Sequence, residues 1–445
     1  MKYNKILFIF ILMLAVSFCL SSCSASDKGS NGKDSLKVYV YKDDVLFKTI
    51  IGEFEYQYPD VKVDEVTFDD LGKFQQRFSS EISAGEGPDV IFFDNYIIPN
   101  VYNLLKTGAF CDLQQFIDKD ESFNMKNYNQ KVLDCGLYNG KRLYIPINYH
   151  IPAFFTTKEL LKKNNIDLAD GDYSQKSFFS KLDPYISSIQ NEKDKYLFSQ
   201  WIPVSEFIAS SGLNFIDYEK KEAFFDKPEF VELISNYKKI NKLCATPEIR
   251  QKYANMECDM LKNEDVLFIN DAHLLNPPSS LSLYNSFIKH LTDQTEAVFP
   301  MPAYNGDNKL VAIADKCMAI NSNSHNKQQA YKLIMIALSE RIQSDNYLNN
   351  LPVNNEVLNK LMDKERKRDP EEVIMNDIKY INEPLPEGLA KDYSVILNNV
   401  DKCEFVDSNV ESFMEASLQP YFEDKSSAEK AINELKNKIK VYLNE

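Results

Sequence analysis

The chain has 445 residues and a formal net charge of −15 at pH 7, from 51 Lys and Arg against 66 Asp and Glu. A surface this acidic repels phosphate backbones and anionic headgroups, so we expect no nucleic-acid partner and no peripheral binding to lipid. A hydrophobic content of 44% excludes an intrinsically disordered chain. The length predicts two or three domains.

The first residues have the pattern of an export signal. Lys2 and Lys5 precede an almost unbroken apolar run, Ile6 to Leu20. This run is too short to span a bilayer comfortably, but it suits the hydrophobic region of a secretory signal. It ends at Leu20-Ser21-Ser22-Cys23, which resembles the lipobox of bacterial lipoproteins. An ordinary signal peptide with an incidental cysteine, or an N-terminal membrane anchor, is the alternative.

The lipobox resemblance implies a signal peptide over residues 1–22 and a lipid on Cys23. Residues 23–35 are small and polar and predict a flexible tether. No later segment approaches the length of an apolar membrane span. We therefore expect a folded domain on the extracellular face of the cell membrane, in contact with the membrane through its lipid anchor only.

Cysteine and histidine spacing gives no support for a metal site. The four histidines are isolated, and no Cys-x-x-Cys pair occurs. We expect no metal and no cofactor. Buried free thiols are the favoured interpretation for most of the six cysteines that follow the lipobox, which are Cys111, Cys135, Cys244, Cys258, Cys317 and Cys403.

Apolar patterns predict a β-α-β-α-β unit after the tether. Gly85 and Gly87 allow a tight exit from the second helix, and Pro88 stops it before a buried strand. This rhythm indicates an α/β domain on a mainly parallel sheet. The predicted elements are the strand Leu36–Tyr41, a helix through Phe47, Ile50, Ile51 and Phe54 with an Asx cap at Asp43-Asp44, the strand Val61–Phe68, the helix Leu71–Ile82 and the strand Asp89–Asp94.

A comparable alternation returns in the middle of the chain, so we predict a second sheet and two lobes. The last hundred residues have mainly helical patterns. The predicted elements here are the strand Lys195–Ile202, helices over 204–211 and 228–243, the strand Val266–Ile269 and a terminal helix Ser427–Leu443.

Three motifs in order carry a resemblance to a known family. They are Tyr56-Gln57-Tyr58-Pro59-Asp60-Val61-Lys62-Val63, Gly85-Glu86-Gly87-Pro88-Asp89-Val90, and Tyr138-Asn139-Gly140-Lys141-Arg142-Leu143-Tyr144-Ile145-Pro146. Weaker matches continue to the C-terminal amphipathic helix. Together, behind a lipobox, they resemble the extracellular solute-binding proteins (family 1) that deliver sugars and related solutes to ABC importers.

The resemblance implies a periplasmic-binding-protein-like fold, with two α/β lobes joined by a hinge and a ligand cleft between them. It implies a monomeric carbohydrate-transport receptor that captures one small solute by hinge closure and hands it to an ABC importer permease. We assign residues 36–147 plus 303–343 to the first lobe and 148–302 plus 344–445 to the second.

Ligands of open α/β sheets bind beyond the carboxyl ends of the strands. This rule points to Lys42, Asp43 and Asp94 in the first lobe, and to Asn270 and Asp271 after a strand of the second. The crossing segment after Pro146 places Asn148 and Tyr149 at the hinge, beside His150. The resemblance adds Trp201, the single tryptophan, on the second lobe. Each of these could instead cap a helix or pack in the core.

These candidates contain acids, amides and aromatic rings but no arginine, which favours a neutral carbohydrate over a phosphate or sulfate. A cationic solute such as a polyamine is the competitor, held by the same carboxylates and rings. The family often has paired glycines after the late crossing strand, where this chain has Ala314-Asp315-Lys316. That departure adds charge to the expected site.

Two other classes of function stay open. Thiaminase-like enzymes resemble these binding proteins and place a catalytic cysteine shortly after the hinge motif, where this chain has His150. With no cysteine near the hinge motif on that side and no other catalytic spacing, we expect no enzyme. A surface sensor for a membrane kinase has the same expected sequence features as a transport receptor.

Overall fold

The structure is a computed structural model that describes residues 35–42, 44–98, 100–169, 171–270, 276–306 and 309–444. The predicted signal peptide, Cys23 and all of the tether except Ser35 lie outside the described residues, as do Asp43 and Asp271. Among the described residues no helix combines the length and the apolar character that crossing a membrane requires.

The chain forms short strands that alternate with helices over most of its length. The strands are β1 Ser35–Tyr41, β2 Lys62–Phe68, β3 Val90–Phe93, β4 Leu137–Tyr138, β5 Lys141–Arg142, β6 Ile145–Pro146, β7 Asn148–His150, β8 Ala153–Thr157, β9 Tyr196–Phe198, β10 Ile216–Asp217, β11 Glu222–Ala223, β12 Val266–Phe268, β13 Glu296–Pro300, β14 Leu310–Ala314, β15 Cys317–Ile320, β16 Leu351–Pro352, β17 Glu371–Met375, β18 Ile378–Asn382 and β19 Val400–Glu404.

The helices include several of only one turn. They are α1 Val45–Gln57, α2 Leu71–Ser83, α3 Val101–Thr107, α4 Gln114–Ile117, α5 Gln130–Leu133, α6 Lys158–Lys163, α7 Gln175–Ile189, α8 Val204–Ser210, α9 Pro228–Asn241, α10 Pro247–Arg250, α11 Met256–Lys262, α12 Pro278–Thr292, α13 Lys327–Ala337, α14 Glu340–Gln343, α15 Asn355–Lys367, α16 Glu387–Asn398, α17 Ser408–Phe422 and α18 Ala428–Asn444. Three 3-10 turns cover Met125–Asn127, Asp134–Gly136 and Asn346–Leu348.

The first lobe is built on a five-stranded sheet of order β2-β1-β3-β15-β6. Strands β1, β2 and β3 are parallel, and β15 runs antiparallel to both β3 and β6. All four residues of β3 are buried, as expected of a strand covered on both faces. Helix α1 buries an apolar stripe, Leu46, Phe47, Ile50, Ile51 and Phe54.

The second lobe is built on strands in the order β9-β12-β8-β13. Strands β9 and β12 are parallel, whereas β8 pairs antiparallel with β13. Phe155 of β8 and Ile269 exchange two backbone hydrogen bonds of 2.8 Å, which join the two pairs into one sheet. Helices α9 and α17 both pack on α8, and Tyr237 meets Phe422 with ring centroids 4.7 Å apart.

A third sheet, of order β16-β7-β14-β19, forms the hinge. The chain crosses from the first lobe through β6 and β7 into β8, and it returns from β13 through β14 into β15. Strand β7 is antiparallel to β14 and β16, and β14 is parallel to β19, which leads into α17. The two lobes are therefore joined by a small sheet to which several crossings contribute.

The two-lobed α/β fold is confirmed. The predicted elements of the first lobe agree with β1, α1, β2, α2 and β3 to within a few residues, and Gly85 and Gly87 have positive φ values of 78° and 100°. The expectation of mainly parallel sheets is wrong, because the chain enters and leaves each lobe by antiparallel strands. The predicted strand Lys195–Ile202 ends at Phe198.

Candidate functional site

Two carboxylates and one lysine meet where strands of the first sheet end. Asp44 caps α1, since its Oδ1 accepts the Phe47 N–H at 3.0 Å. Its Oδ2 lies 2.9 Å from Nζ of Lys316, at the amino end of the antiparallel strand β15. Asp94 follows β3, and its Oδ2 lies 3.8 Å from the same Nζ. Lys316 therefore bridges two strand ends.

Asp94 makes two kinds of contact: it caps the turn that follows its strand, and it faces the strand edge where the sequence predicts a ligand. Its Oδ1 accepts the N–H groups of Tyr96 at 2.9 Å and Ile97 at 2.7 Å, which fixes the turn that follows β3. Its Oδ2 faces Lys316, and the carboxylate is about one-quarter exposed at 24%. Asp94 thus orders its own loop and still presents one oxygen to the strand edge.

Lys42 lies beside this cluster but outside its hydrogen bonds. Its backbone has a φ of +50°, and its side chain is exposed with Nζ 5.1 Å from the ring centroid of Tyr41. Asp43, the next predicted residue, lies outside the described part of the chain. For both residues ligand contact stays a prediction.

The two predicted hinge residues point their side chains into the protein. Asn148 is 1% exposed; its Nδ2 donates to the Leu348 carbonyl at 2.7 Å and its Oδ1 accepts the Lys316 N–H at 2.8 Å. Tyr149 is also 1% exposed, and burial raises its pKa. Both residues hold the hinge sheet together in this structure. Any role in ligand contact stays a prediction that requires the hinge to rearrange.

His150, by contrast, belongs to a polar cluster at the hinge. Its Nδ1 lies 2.7 Å from Oδ1 of Asp315, whose Oδ2 accepts the Asn350 Nδ2–H at 2.8 Å. Burial alone lowers the pKa of His150, but the adjacent Asp315 carboxylate outweighs burial and raises that pKa to about 9. The imidazole is therefore protonated at pH 7. Its second nitrogen, Nε2, is buried and has no hydrogen-bond partner among the described residues.

In the second lobe, Asn270 closes the ends of two strands. Its Oδ1 accepts the Gln200 N–H at 3.1 Å, and its Nδ2 donates to the Gln200 carbonyl at 3.1 Å. This side-chain pairing replaces backbone pairing and explains why the strand stops at Phe198. The chain then turns outward at Trp201, which is 46% exposed. Asp271 lies outside the described residues.

Three carboxylates that sequence reasoning missed extend from the hinge towards Trp201. Glu206 on α8 is close enough to His150 and Asp315 for their charges to interact, and it interacts in turn with Glu411 on α17. Burial raises the pKa values of Glu206 and of Glu415, which lines a shallow pocket with Trp201. The Ser205 hydroxyl donates to Glu411 Oε1 at 2.8 Å.

Chain separation explains why these residues were missed. Lys316 and Asp44 are 272 positions apart, and Ser205 and Glu411 are 206 positions apart, so no local pattern signals either contact. The one available signal was the charged replacement at Asp315 and Lys316 where the family often has glycines. No group of His, Cys, Asp or Glu among the described residues has the arrangement of a metal site.

No protein-family model matches the chain. A carbohydrate ABC transporter substrate-binding protein from Streptococcus pneumoniae serotype 4 is 23% identical over 277 residues, which cover 59% of this chain and 52% of that protein. The chain thus matches about half the length of this curated relative.

Solved structures match over nearly the whole chain. An ABC substrate-binding protein from Listeria monocytogenes, in complex with cycloalternan, has a TM-score of 0.61 at 16% identity, over 91% of this chain and 97% of that one. The sugar-binding protein MalE from Xanthomonas citri has a TM-score of 0.64 at 14% identity, over 92% and 97%. The resemblance to substrate-binding proteins is confirmed, and the fold is the two-lobed fold of periplasmic binding proteins.

Proposed function

We propose that the chain is the solute receptor of an ABC importer, and that its solute is a carbohydrate bound between the two lobes. One observation carries this proposal: charged side chains of both lobes approach the same hinge segment, Asp315-Lys316. Asp44 and Asp94 of the first lobe lie against Lys316, and Glu206 of the second lobe interacts with Asp315 and His150. The similarity to sugar-binding receptors supports it.

The chemistry of these groups suits a sugar. Carboxylates and lysines make charge-assisted hydrogen bonds to hydroxyl groups. The half-exposed indole of Trp201 offers an apolar face to the C–H side of a pyranose ring. Among the described residues of this arrangement, the hinge histidine cannot serve as an activating base, because Asp315 holds it protonated. Binding rather than catalysis is the activity that follows.

Closure of the lobes supplies the mechanism. A ligand on one lobe alone contacts only half of the polar groups, so binding free energy favours the closed arrangement over the open one. The first lobe is proposed to comprise residues 36–147 plus 303–343, with the remainder of the folded chain in the second. The closed protein then presents a surface that an importer permease recognises.

The N-terminal signal sequence supports a proposal for the location of the protein. We propose that Cys23 carries a lipid and holds a monomeric receptor on the extracellular face of the cell membrane. Cys23→Ala should release the protein into the medium or leave its precursor unprocessed. Unchanged membrane retention, with no lipid mass on the mature N-terminus, would refute the anchor.

One observation favours a cationic solute as the second candidate. Glu206, Glu411 and Glu415 lie together on the second lobe, with His150 as the positive group that acts on Glu206. A polyamine or an amino sugar would add the missing positive charge. Salt distinguishes this candidate from a neutral sugar, since exposed ion pairs are screened by salt whereas stacking and neutral hydrogen bonds are not.

The test is a thermal-shift panel of monosaccharides, oligosaccharides, polyamines and amino acids, run on the mature protein at low and high salt. A sugar that raises the melting temperature equally at both salt concentrations supports the proposal. Stabilisation by cations alone, fading at high salt and lost in Glu206→Gln, supports the second candidate instead. Trp201 gives an independent readout, because all tryptophan emission of the chain comes from it.

A further inference from the structure

A cavity of about 360 Å³ lies between the lobes, apart from the cluster of Asp44, Asp94 and Lys316. Its wall is largely apolar and includes Tyr102 of the first lobe and Tyr218 of the second. The Tyr102 hydroxyl donates to the Tyr218 carbonyl at 2.9 Å, so the lobes touch here. The wall also contains two thiols, those of Cys135 and Cys403.

These two thiols come from elements that pack directly on each other. Cys135 lies in the 3-10 turn Asp134–Gly136, which packs against β19, the strand that carries Cys403. Both are free thiols in the structure, and their side chains are near enough to interact. The two residues are far apart in sequence, and their contact depends on the assembled hinge.

Gly136 allows this close packing. A Cβ atom at position 136 would lie 1.8 Å from the Tyr144 carbonyl oxygen, so no other residue fits without moving the turn. The Tyr144 hydroxyl donates to the Cys135 carbonyl at 2.7 Å and lies 3.5 Å from its Sγ. The turn is therefore held on the hinge from both sides, with the Cys135 thiol fixed in place.

We propose that Cys135 and Cys403 form a disulfide in the exported protein. The bond would tie a turn of the first lobe to the strand that leads into the second lobe. The proposal goes beyond solute binding and rests on export only for its setting, since disulfides persist outside the cytoplasm. It does not depend on which solute is bound.

Exposure of the two thiols sets the order of the reaction. Cys135 is partly exposed and Cys403 is buried, and burial raises the pKa of Cys403. Cys135 as a thiolate therefore attacks an external disulfide first, such as oxidised glutathione or an oxidoreductase. This breaks the external S–S bond and leaves a mixed disulfide on Cys135. Cys403, as a thiolate, then displaces the second external thiol.

The step balances in atoms and electrons. The two protein thiols lose two protons and two electrons as their S–S bond forms, and the external disulfide gains them and becomes two thiols. Cys317 is the third thiol of the cluster, because its charge interacts with both Cys135 and Cys403. It is fully buried in β15 and is absent from the cavity wall, so it is not the expected partner.

The experiment uses the purified full-length mature protein, first reduced and then equilibrated with oxidised glutathione. Remaining thiols are alkylated, the protein is digested without reduction, and the peptides are mapped by mass spectrometry. We expect one linked pair of peptides, containing Cys135 and Cys403, and a melting temperature that falls on reduction. The link should survive in Cys317→Ser and Cys244→Ser and disappear in Cys135→Ser and Cys403→Ser.

Complete alkylation of all six thiols in the oxidised wild-type protein would overturn the proposal, as would a link through Cys317. The peptide map of the oxidised wild-type protein alone decides whether the Cys135–Cys403 link forms. Poor folding of a serine variant therefore does not affect the conclusion. The defined oxidant makes the result independent of export. Sugar binding in the thermal-shift panel is scored separately, so failure of one proposal is distinguishable from failure of the other.

Discussion

The two lobes differ in how the negative charge of their carboxylates is compensated. On the first lobe, Lys316 lies 2.9 Å from Asp44 and 3.8 Å from Asp94, so the carboxylates share a cation supplied by the protein. On the second lobe, Glu206, Glu411 and Glu415 interact mainly with one another and with the hinge histidine. On the first lobe, the negative charge of the carboxylates is compensated by a lysine of the protein. On the second lobe, negative charge is left for a ligand or the hinge to balance.

This difference assigns separate tasks to the two sides. A carboxylate paired with a lysine is held in one orientation and is ready to accept hydroxyl hydrogen bonds without further ordering. Carboxylates with raised pKa values are costly to keep charged and gain more from a donor that arrives with the ligand. In the proposed binding mode, the first lobe therefore orients the ligand, and the second lobe gains free energy when the lobes close over it.

The largest expected effect is the pH dependence of the hinge. The pKa of His150 is raised from 6.5 to about 9 by Asp315, so the folded protein binds a proton more tightly than the unfolded chain. The stabilisation is complete below pH 6.5 and is lost as pH rises to 9, by roughly 3 kcal/mol in all. Urea unfolding at pH 6, 7.5 and 9 measures this loss. Asp315→Asn should remove most of this pH-dependent loss of stability. If the free energy of unfolding of that variant depended on pH as in the wild type, the account would be contradicted.

Trp201→Ala is expected to weaken sugar binding by about 30-fold, because a buried aromatic contact at the centre of an interface contributes about 2 kcal/mol. The free energy of unfolding should change little, since the side chain is half exposed. Isothermal titration calorimetry measures the affinity. Tyr56→Ala is the matched control, an aromatic residue 83% exposed on α1. Equal losses in both variants would remove Trp201 from the site.

Lys316→Met tests the first lobe, where Lys316 compensates the charge of two carboxylates. It leaves Asp44 and Asp94 facing each other without their cation, and we expect a stability loss of about 1.5 kcal/mol, the lower range for hydrogen bonds to charged groups. Lys360→Met removes a lysine from an exposed pair with Glu340, where side-chain exposures are 58% and 62%. That control should change stability by less than about 0.5 kcal/mol. Similar urea midpoints for both variants would show that Lys316 is not structurally required.

Glu206→Gln should have only a small effect on stability, and it sharpens the choice of ligand. The variant keeps the shape of the side chain and removes a carboxylate whose charge is costly under burial. We expect a change in stability below about 1 kcal/mol. Affinity for a neutral sugar should remain within a few-fold of wild type. A large, salt-dependent loss of affinity would identify the solute as a cation.

The first lobe could be predicted from the sequence because its signals are local. Alternation along β1 and the Asx cap at Asp44 are each contained within a few residues. The cluster of charged side chains at the hinge could not be predicted from the sequence. Its members Lys316, Glu206 and Glu411 contact their partners only after the chain has crossed the hinge. Asn148 and Tyr149 lie on β7 of the hinge sheet, and the direction of their side chains depends on strand register, which sequence alone does not fix.

Closure around a sugar is the central claim, and small-angle X-ray scattering tests it most directly. The mature protein is measured alone and with the sugar that gives the largest thermal shift, with Trp201→Ala as the binding-deficient control. The account predicts a ligand-dependent fall in radius of gyration that saturates at one sugar per chain and is much smaller in the control at the same sugar concentration. An unchanged radius of gyration in wild-type protein saturated with a tightly bound sugar would contradict it.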